Sequence, residues 1–599
     1  MPLSTYISRA RLLILGALMT CMICVLLGRL WYLQNYQVHI LSGKVSEQSI
    51  RKIRVPAPRG RIFDAEGRQI VGNRPSYNVT FNLSAMRQPG SRDDTVEHVL
   101  EMAQTVADEI GRELPVSRSR IERRLKVYPA LSWEIFTDLD EKELSRAAEL
   151  IPDFAGVDIG VDFARRNYYP GIASHVLGFT GRRRPPEKLR ERDYSYVMPE
   201  LRGRAGIENI FDDTLAGQAG VDVVRVDSIG YVRETLGSPF KPEAGADVSL
   251  TLDIEAQRIA EELLEDQRAA FVVMEVDTGA VKVLASSPGY DAANLTAKSY
   301  SELLSEKEKR PLTNRAIGAA YLPGSIIKPL VGLAALENET IGEDYEVYCD
   351  GSYEIGNTSI SCASRYGHGD VDMVEAIKGS CNSYFVDIGM ETGLEQLRSI
   401  FRKAGLGEKP GIELDGVRSG RVPSDTWMRK RFDRDWLPID SAYLSIGQFA
   451  LNISPLQAAV FTAAIANGGT VYQPFVVDAV NAPDGSLLEA SSPLPVEYLR
   501  VNRDNLRLIQ KGMYLVVNSS SGTGRRAANE AISMAGKTGS AQVLTPDDRH
   551  TNAWFIGYAP ADKPRYAFAV LVEYADSGGQ DAAPLAGEFF ERWLESRAK

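Results

Sequence analysis

Three short stretches of this 599-residue chain carry side chains whose types and spacing suit acyl transfer. In YLPGSIIKPLVGLAALE, Ser325 and Lys328 stand three apart at the head of an apolar run, and residues three apart share a helix face, so the amine can reach the hydroxyl. A serine is a weak nucleophile near neutral pH, and a lysine desolvated among Ile, Leu and Val can become the base it needs. The Pro323-Gly324 pair marks the turn into that helix, and Pro329 costs little where early helical N–H groups lack partners. In GSCNSYF, Ser380 can relay a proton and Asn382 can hold Lys328 or a substrate amide. MAGKTGSAQV reads as a strand in which Gly536 and Gly539 admit a second backbone, with Lys537, Thr538 and Ser540 supplying charge and hydroxyl donors to an added peptide.

Each stretch alone is weak. Ser-x-x-Lys recurs at Ser49, Ser238 and Ser596 in polar surroundings, and the Ser-x-Asn at Ser76 reads as a turn or helix cap. The GKT of the third stretch ends a phosphate-binding loop only if glycine stands at 531, where this chain has Ala531. All three in this order within one chain are a much rarer coincidence.

The elements that must position them begin with an uncharged run, Leu12 to Gly28, extended by LWYLQ to a 22-residue segment ending at Leu33. That length spans a bilayer core. Arg9 and Arg11 place the N-terminus in the cytoplasm by the positive-inside rule, and the absence of a small-x-small site after the run favours an uncleaved anchor over a signal peptide. The expected layout is a cytoplasmic tail 1–11, a membrane helix 12–33, an α+β stalk 34–240 and a catalytic domain 241–599. The length suggests three or four packing units. In the last domain, AAFVVMEVDTGAVKVLAS predicts a hairpin, WFIGYAP and RYAFAVLVEYA two further strands, and APLAGEFFERWLESR a closing helix, hence an antiparallel sheet flanked by helices. A net charge of −11 and the lack of any basic block argue against a nucleic-acid partner.

With these pieces in place the chain resembles the class B penicillin-binding proteins over nearly its whole length. APRGRIFDAEGRQIVGN, YYPGIASHVLGFTG and GRAGIENIFDDTLAGQAG look like the family's stalk boxes, and YLPGSIIKP, LSIGQFALNISPLQ and AGKTGSAQV like its transpeptidase domain. No paired-glutamate glycosyltransferase signature stands between Leu33 and Lys241, and AWFIGYAP with the overall layout looks most like the elongation group, penicillin-binding protein 2. The resemblance implies a dimerisation-type stalk and a penicillin-binding, serine β-lactamase-like fold. It also implies that Ser325 attacks the D-alanyl-D-alanine carbonyl of a peptidoglycan stem and that β-lactams acylate the same serine. Lys328 would be the base, Ser380 a relay and Asn382 a positioning group. Lys537 would complete the catalytic set; the N–H groups of Ser325 and Ser540 would form the oxyanion hole, and Thr538, Gly539 and Ser540 would line the substrate, with the Thr538 and Ser540 hydroxyls on its carboxylate. Implied partners are a polytopic glycan polymerase beside an inner-membrane anchor and a periplasmic elongation scaffold against the stalk. Competing readings are a septal transpeptidase, a D,D-carboxypeptidase or β-lactamase, a β-lactam sensor and a non-catalytic scaffold.

The cysteines raise a separate question. Cys21 and Cys24 fall in the membrane segment, whereas Cys349, Cys362 and Cys381 cluster in an exported region with His368 between the last two. Three thiols and an imidazole make a tetrahedral structural zinc set; a Cys349–Cys362 disulfide with Cys381 free is the alternative. Some members of the resembled group bind zinc beside the active site through two aspartates, a histidine and a cysteine inside the Ser-x-Asn motif. The resemblance therefore favours zinc on Cys362, His368 and Cys381, with Cys349 or the adjacent Asp350 as first ligand.

Overall fold

The apolar run folds as one helix, Arg9–Asn35, in the computed structural model, which describes residues 9–37, 49–183, 194–544 and 549–598. Its aliphatic side chains stand exposed along the helix, with a mean hydropathy of 2.4 over its most apolar window. At 1.5 Å per residue it is about 40 Å long, enough to cross a bilayer core. Of the expected cytoplasmic tail 1–11, residues 1–8 lie outside the described residues.

The stalk is built on the strand Gln69–Phe81, paired antiparallel with Val157–Asn167 and, at its far end, with Trp133–Phe136. Val79 and Phe81 alternate inward and meet the apolar faces of the helices Arg92–Ile110 and Arg118–Val127. Ser91 starts the first of these through a capping box with Asp94, and Gly111 ends it in the left-handed conformation. Ser76 corrects one expectation: it sits within the strand, opposite Asp162, and donates to Asn78 Oδ1 at 3.1 Å. The long ladder overrides the local turn preference of Ser and Asn.

The stalk boxes meet in a buried ion network. Arg59 donates to Glu208 at 2.7 Å and to Asp212 at 2.9 Å, Arg165 donates to Glu208 at 2.7 Å, and Arg202 pairs with Asp212 at 2.7 Å. Segments far apart in sequence are thereby locked together. The residue 240/241 boundary is crossed by a shared sheet: Ile62–Phe63 runs parallel to Asp247–Leu250, which pairs antiparallel with Val477–Asn481. Stalk and catalytic parts thus share backbone hydrogen bonds.

The catalytic part has an antiparallel five-stranded sheet in the spatial order Val281–Ser287, Ala269–Glu275, Tyr566–Val572, Arg549–Ala559, Ala535–Leu544. The first two form the hairpin over Asp277-Thr278-Gly279. The wholly buried helix Pro455–Ala466 packs on the sheet, and Phe589 of the closing helix Ala583–Ala598 meets Phe271 in a tilted ring contact with centroids 4.7 Å apart. The α+β class, with helices on an antiparallel sheet, is the one expected.

Candidate active site

Ser325 lies in a single 3-10 turn, Gly324–Ile327, that leads directly into the buried helix Lys328–Glu337. Two backbones fix that turn from outside. Gly324 N–H donates to Gly447 O at 2.9 Å, with both glycines at positive φ, and a Cβ on Gly447 would stand 2.0 Å from Gly324 O. Trp554 Nε1 donates to Leu322 O at 3.0 Å. These contacts give LSIGQFALNISPLQ and AWFIGYAP a physical role.

Lys328 is completely buried, and Nζ donates to Asn382 Oδ1 at 2.7 Å, to Ser380 O at 2.8 Å and to Ser380 Oγ at 3.3 Å. Lys537, equally buried, donates to the same Ser380 Oγ at 2.9 Å and to Thr538 O at 2.8 Å. Ser380 Oγ is therefore shared by two ammonium groups. Desolvation pushes Lys328 down to about 8, and burial followed by the charge of Lys328 holds Lys537 well below its ordinary range. At pH 7 a lysine of pKa about 8 is neutral in roughly a tenth of molecules. The Ser-x-x-Lys spacing puts both residues on one turn as expected, but the Lys328 amine is hydrogen-bonded to the Ser380–Asn382 turn and no bond to Ser325 forms among the described residues.

Ser325, Ser380, Asn382, Thr538, Gly539 and Ser540 line one cleft of about 460 Å³. The strand Ala535–Leu544 is terminal in its sheet, and the nucleophile turn packs against it so closely that a Cβ on Gly539 would stand 2.9 Å from Ile326 Cγ2 and 3.0 Å from Pro323 O. Thr538 Oγ1 donates to Thr523 Oγ1 at 2.8 Å, and Ser540 Oγ accepts from Gly578 N–H at 3.3 Å. Sequence reasoning missed Thr523, Arg525, Arg526 and Gln580, which line the same cleft. The only available signal was the Ser/Gly-rich SSSGTGRR loop.

Ser380 has φ +57°, a left-handed conformation rare for a residue with a side chain, and it directly precedes Cys381, the cap of the helix Asn382–Lys403. The ligand atoms of Cys349, Cys362, His368 and Cys381 all lie within 4.8 Å of one another. Cys362 Sγ to Cys381 Sγ is 3.8 Å, and His368 Nδ1 is 3.6 Å from Cys349 Sγ and 3.4 Å from Cys362 Sγ. Around a tetrahedral zinc, two thiolates stand about 3.8 Å apart and a thiolate and an imidazole about 3.6 Å. The Cys381 thiol, together with the N–H groups of Ser383 and Asn382, holds the Cys362 thiol well below its ordinary range, and the same hydrogen bond pushes the Cys381 thiol up. The three thiols are unpaired by disulfides. Asp350 is outside the cluster, its Oδ1 accepting from Ser352 N–H at 3.2 Å.

A serine acyl-transfer centre of this kind, set between a helix start and the edge strand of an antiparallel sheet, defines the class of penicillin-recognising serine enzymes. Residues 269–591 match the family model of the penicillin binding protein transpeptidase domain, and residues 54–250 that of the penicillin-binding protein dimerisation domain; the chain belongs to the penicillin-binding protein transpeptidase family. The peptidoglycan D,D-transpeptidase MrdA of Acinetobacter baumannii is 29% identical over 623 residues, covering 99% of this chain and 88% of the relative. That of Haemophilus influenzae is 28% identical over 600 residues, covering 96% and 90%. Among solved structures, the complex between the penicillin-binding protein PBP2 and MreC from Helicobacter pylori matches with a TM-score of 0.75 at 26% identity, covering 92% of this chain and 100% of that one. Pseudomonas aeruginosa PBP2 in complex with WCK 5153 matches with a TM-score of 0.65 at 27% identity, covering 91% and 96%.

Proposed function

We propose that this protein is a membrane-anchored serine D,D-transpeptidase that cross-links peptidoglycan stem peptides during cell-wall elongation, and that β-lactams acylate its Ser325. The observation that carries the reading is the convergence of two buried lysines on Ser380 Oγ in the cleft that also holds Ser325. The donor stem lies as an added strand along the free edge of Ala535–Leu544. Neutral Lys328, oriented by Asn382 Oδ1 and Ser380 O, takes the proton as Ser325 Oγ attacks the penultimate D-alanine carbonyl. The N–H groups of Ser325 and Ser540 stabilise the oxyanion, worth a few kcal/mol in such sites. Ser380 Oγ, between the two amines, passes the proton on to the departing D-alanine nitrogen. The hydroxyls of Thr538 and Ser540 bind the terminal carboxylate, with the charge of Lys537 beside them. An amine of a neighbouring stem then attacks the acyl-enzyme.

Cys349, Cys362, His368 and Cys381 hold a structural zinc, which when bound fixes the Ser380–Asn382 turn and touches no reacting atom. Its support is the donor set and the spacing of its ligand atoms. Arg9 and Arg11 favour a cytoplasmic N-terminus, an inner-membrane anchor and a periplasmic catalytic domain. A polytopic glycan polymerase and a periplasmic scaffold are the proposed partners; the Helicobacter pylori relative was solved with MreC. Labelling by a fluorescent penicillin, together with cross-linking of lipid-linked stems in a reconstituted membrane, tests the function. Both are expected to vanish in Ser325→Ala. Labelling that survives the substitution refutes the mechanism.

A further inference from the structure

The cleft around Ser325 carries more positive charge than the donor stem uses. Lys328 and Lys537 lie buried behind Ser380, and the exposed Arg525 and Arg526 stand on the cleft wall. Among the described residues that line the cleft none is acidic, although the chain as a whole has a net charge of −11. The donor's terminal carboxylate, as proposed, occupies Thr538, Ser540 and the charge of Lys537, which leaves both arginines without an anion. Neither forms an ion pair among the described residues. Arg525 Nη1 donates to Ser520 O at 2.9 Å, and Arg526 shares a neighbouring pocket with Glu588, Glu591 and Glu595 but pairs with none of them. With no acid beside it in either pocket, Arg525 is the less compensated of the two.

The backbone that carries them is held in place. Thr523 Oγ1 accepts from Thr538 Oγ1 at 2.8 Å, which ties the loop to the strand that binds the donor. Gly524 N–H donates to Val516 O at 2.9 Å, and a Cβ on Gly524 would stand 3.0 Å from Phe555 Cε2. The turn Arg525–Ala527 then buries Ala527 against the closing helix, where a Cβ on Gly587 would stand 2.8 Å from Ala527 O. Two long cationic side chains thus project from a fixed loop at the carboxylate end of the donor.

That end is where the second substrate must arrive. D-Alanine departs from the Thr538 side, and the acceptor amine reaches the same carbonyl carbon through the space the leaving amine vacated. Its nitrogen forms a C–N bond as the Ser325 ester C–O bond breaks, and the proton it sheds passes to Ser325 Oγ. Leaving group and acceptor share one subsite, so Thr538 and Ser540 favour an amine with a carboxylate on the adjacent carbon. Arg525, two residues beyond Thr523, borders the same subsite.

We propose that Arg525, assisted by Arg526, selects acceptor amines that carry a second carboxylate, so that a dicarboxylate amine is used in preference to one with a neutral side chain. The proposal rests on the acyl-transfer reading and adds the chemistry of the acceptor to it. Complementary charge of this kind discriminates between substrates of equal size.

The test forms the acyl-enzyme on the full chain in detergent micelles from a thioester of N-benzoyl-D-alanine. D-2-Aminoadipate or D-norleucine, which match in length and differ in the side-chain carboxylate, is then added, and mass spectrometry measures how the acyl group divides between amino acid and water. This ratio does not depend on how fast the acyl-enzyme forms. Wild type should favour D-2-aminoadipate about tenfold, and the preference should fade as salt rises. It should fall to within about twofold of unity in Arg525→Gln and to about threefold in Arg526→Gln, and persist in Arg525→Lys, a pattern that a loss of structure would not produce. Should thermal unfolding show that Arg525→Gln does not fold, the wild-type preference and its salt dependence carry the test. Equal use of the two acceptors by wild type, a preference that survives in Arg525→Gln, or a change confined to the KM for the donor thioester overturns the proposal. Absence of any acyl-enzyme refutes the acyl-transfer reading itself, and this proposal with it.

Discussion

Replacing Cys362 by serine should cost the active site its geometry although the thiol touches no substrate. Cys362 Sγ accepts the Asn382 N–H at 3.2 Å, and Asn382 Oδ1 accepts from Lys328 at 2.7 Å, so a single residue links the thiol cluster to the proposed base. Ser383 Oγ donates to Cys349 Sγ at 3.4 Å, giving the turn a second tie to the cluster. Ser380 holds a left-handed backbone that costs about 1 to 2 kcal/mol, and persists only where its surroundings enforce it. If the turn relaxes by about 1 Å, a loss on the order of 10²-fold in acylation follows. Cys362→Ser, or prolonged chelation of the wild type, is therefore expected to abolish stoichiometric zinc and slow fluorescent-penicillin acylation about a hundredfold. Metal content is read by mass spectrometry and the acylation rate by gel fluorescence on the full chain in detergent. Asp350→Asn, which touches only a local turn, should leave both within about twofold of wild type. Wild-type acylation in zinc-free protein, or zinc lost from Asp350→Asn and kept in Cys349→Ser, refutes the reasoning.

Acylation should rise with pH through about 8, gaining roughly tenfold between pH 7 and 9 as Lys328 loses its proton; a flat rate profile removes it as the base. Gly539→Ala drives a methyl to within 2.9 Å of Ile326 Cγ2 and should cost about 1 to 3 kcal/mol with a marked loss of acylation, read by thermal unfolding and penicillin labelling. Arg59→Met leaves Glu208 and Asp212 short of a buried partner and should destabilise the stalk by about 3 to 5 kcal/mol, seen as early proteolysis. His175, on the stalk, faces Pro311 O at 2.7 Å, and desolvation pushes it down to about 4. The unfolded chain binds its proton first, so burying His175 in its neutral form costs nothing above pH 6.5 and costs stability as pH falls towards 4. The melting temperature of wild type should therefore drop more steeply over that range than that of His175→Gln.

The candidate catalytic residues stand out in the sequence because the proposed chemistry constrains local sequence. A nucleophile needs its base one helical turn away, and a peptide-pairing strand needs glycines where another backbone approaches; both requirements leave short patterns at Ser325 and Lys328 and at Gly536 and Gly539. The strands around Phe271 and Trp554 were legible for a similar reason, since burial on both faces demands unbroken apolar runs. Ser76 was misread because a Ser-x-Asn looks the same in a turn and in a strand, and only the partner strand distinguishes them. The sheet shared across residue 240 was invisible because Ile62–Phe63 is two residues long and carries no period. Thr523 and Arg525 were missed because nothing local says which cleft a loop will border.

The GSCNSYF turn joins these two kinds of information. Its outer residues announce themselves through types that suit a proton relay and an amide acceptor, whereas Cys381 makes sense only once Cys349, Cys362 and His368 have been brought to it by two hairpins. Val347–Cys349 pairs with Gly369–Val371, carrying Cys349 beside His368, and Ser352–Ile355 pairs with Thr358–Ser361, returning the chain to Cys362. The hairpins are too small to form alone. The proposed zinc, gathering their ends onto the cap of the helix Asn382–Lys403, would supply the stability they lack at the turn that carries Ser380 and Asn382.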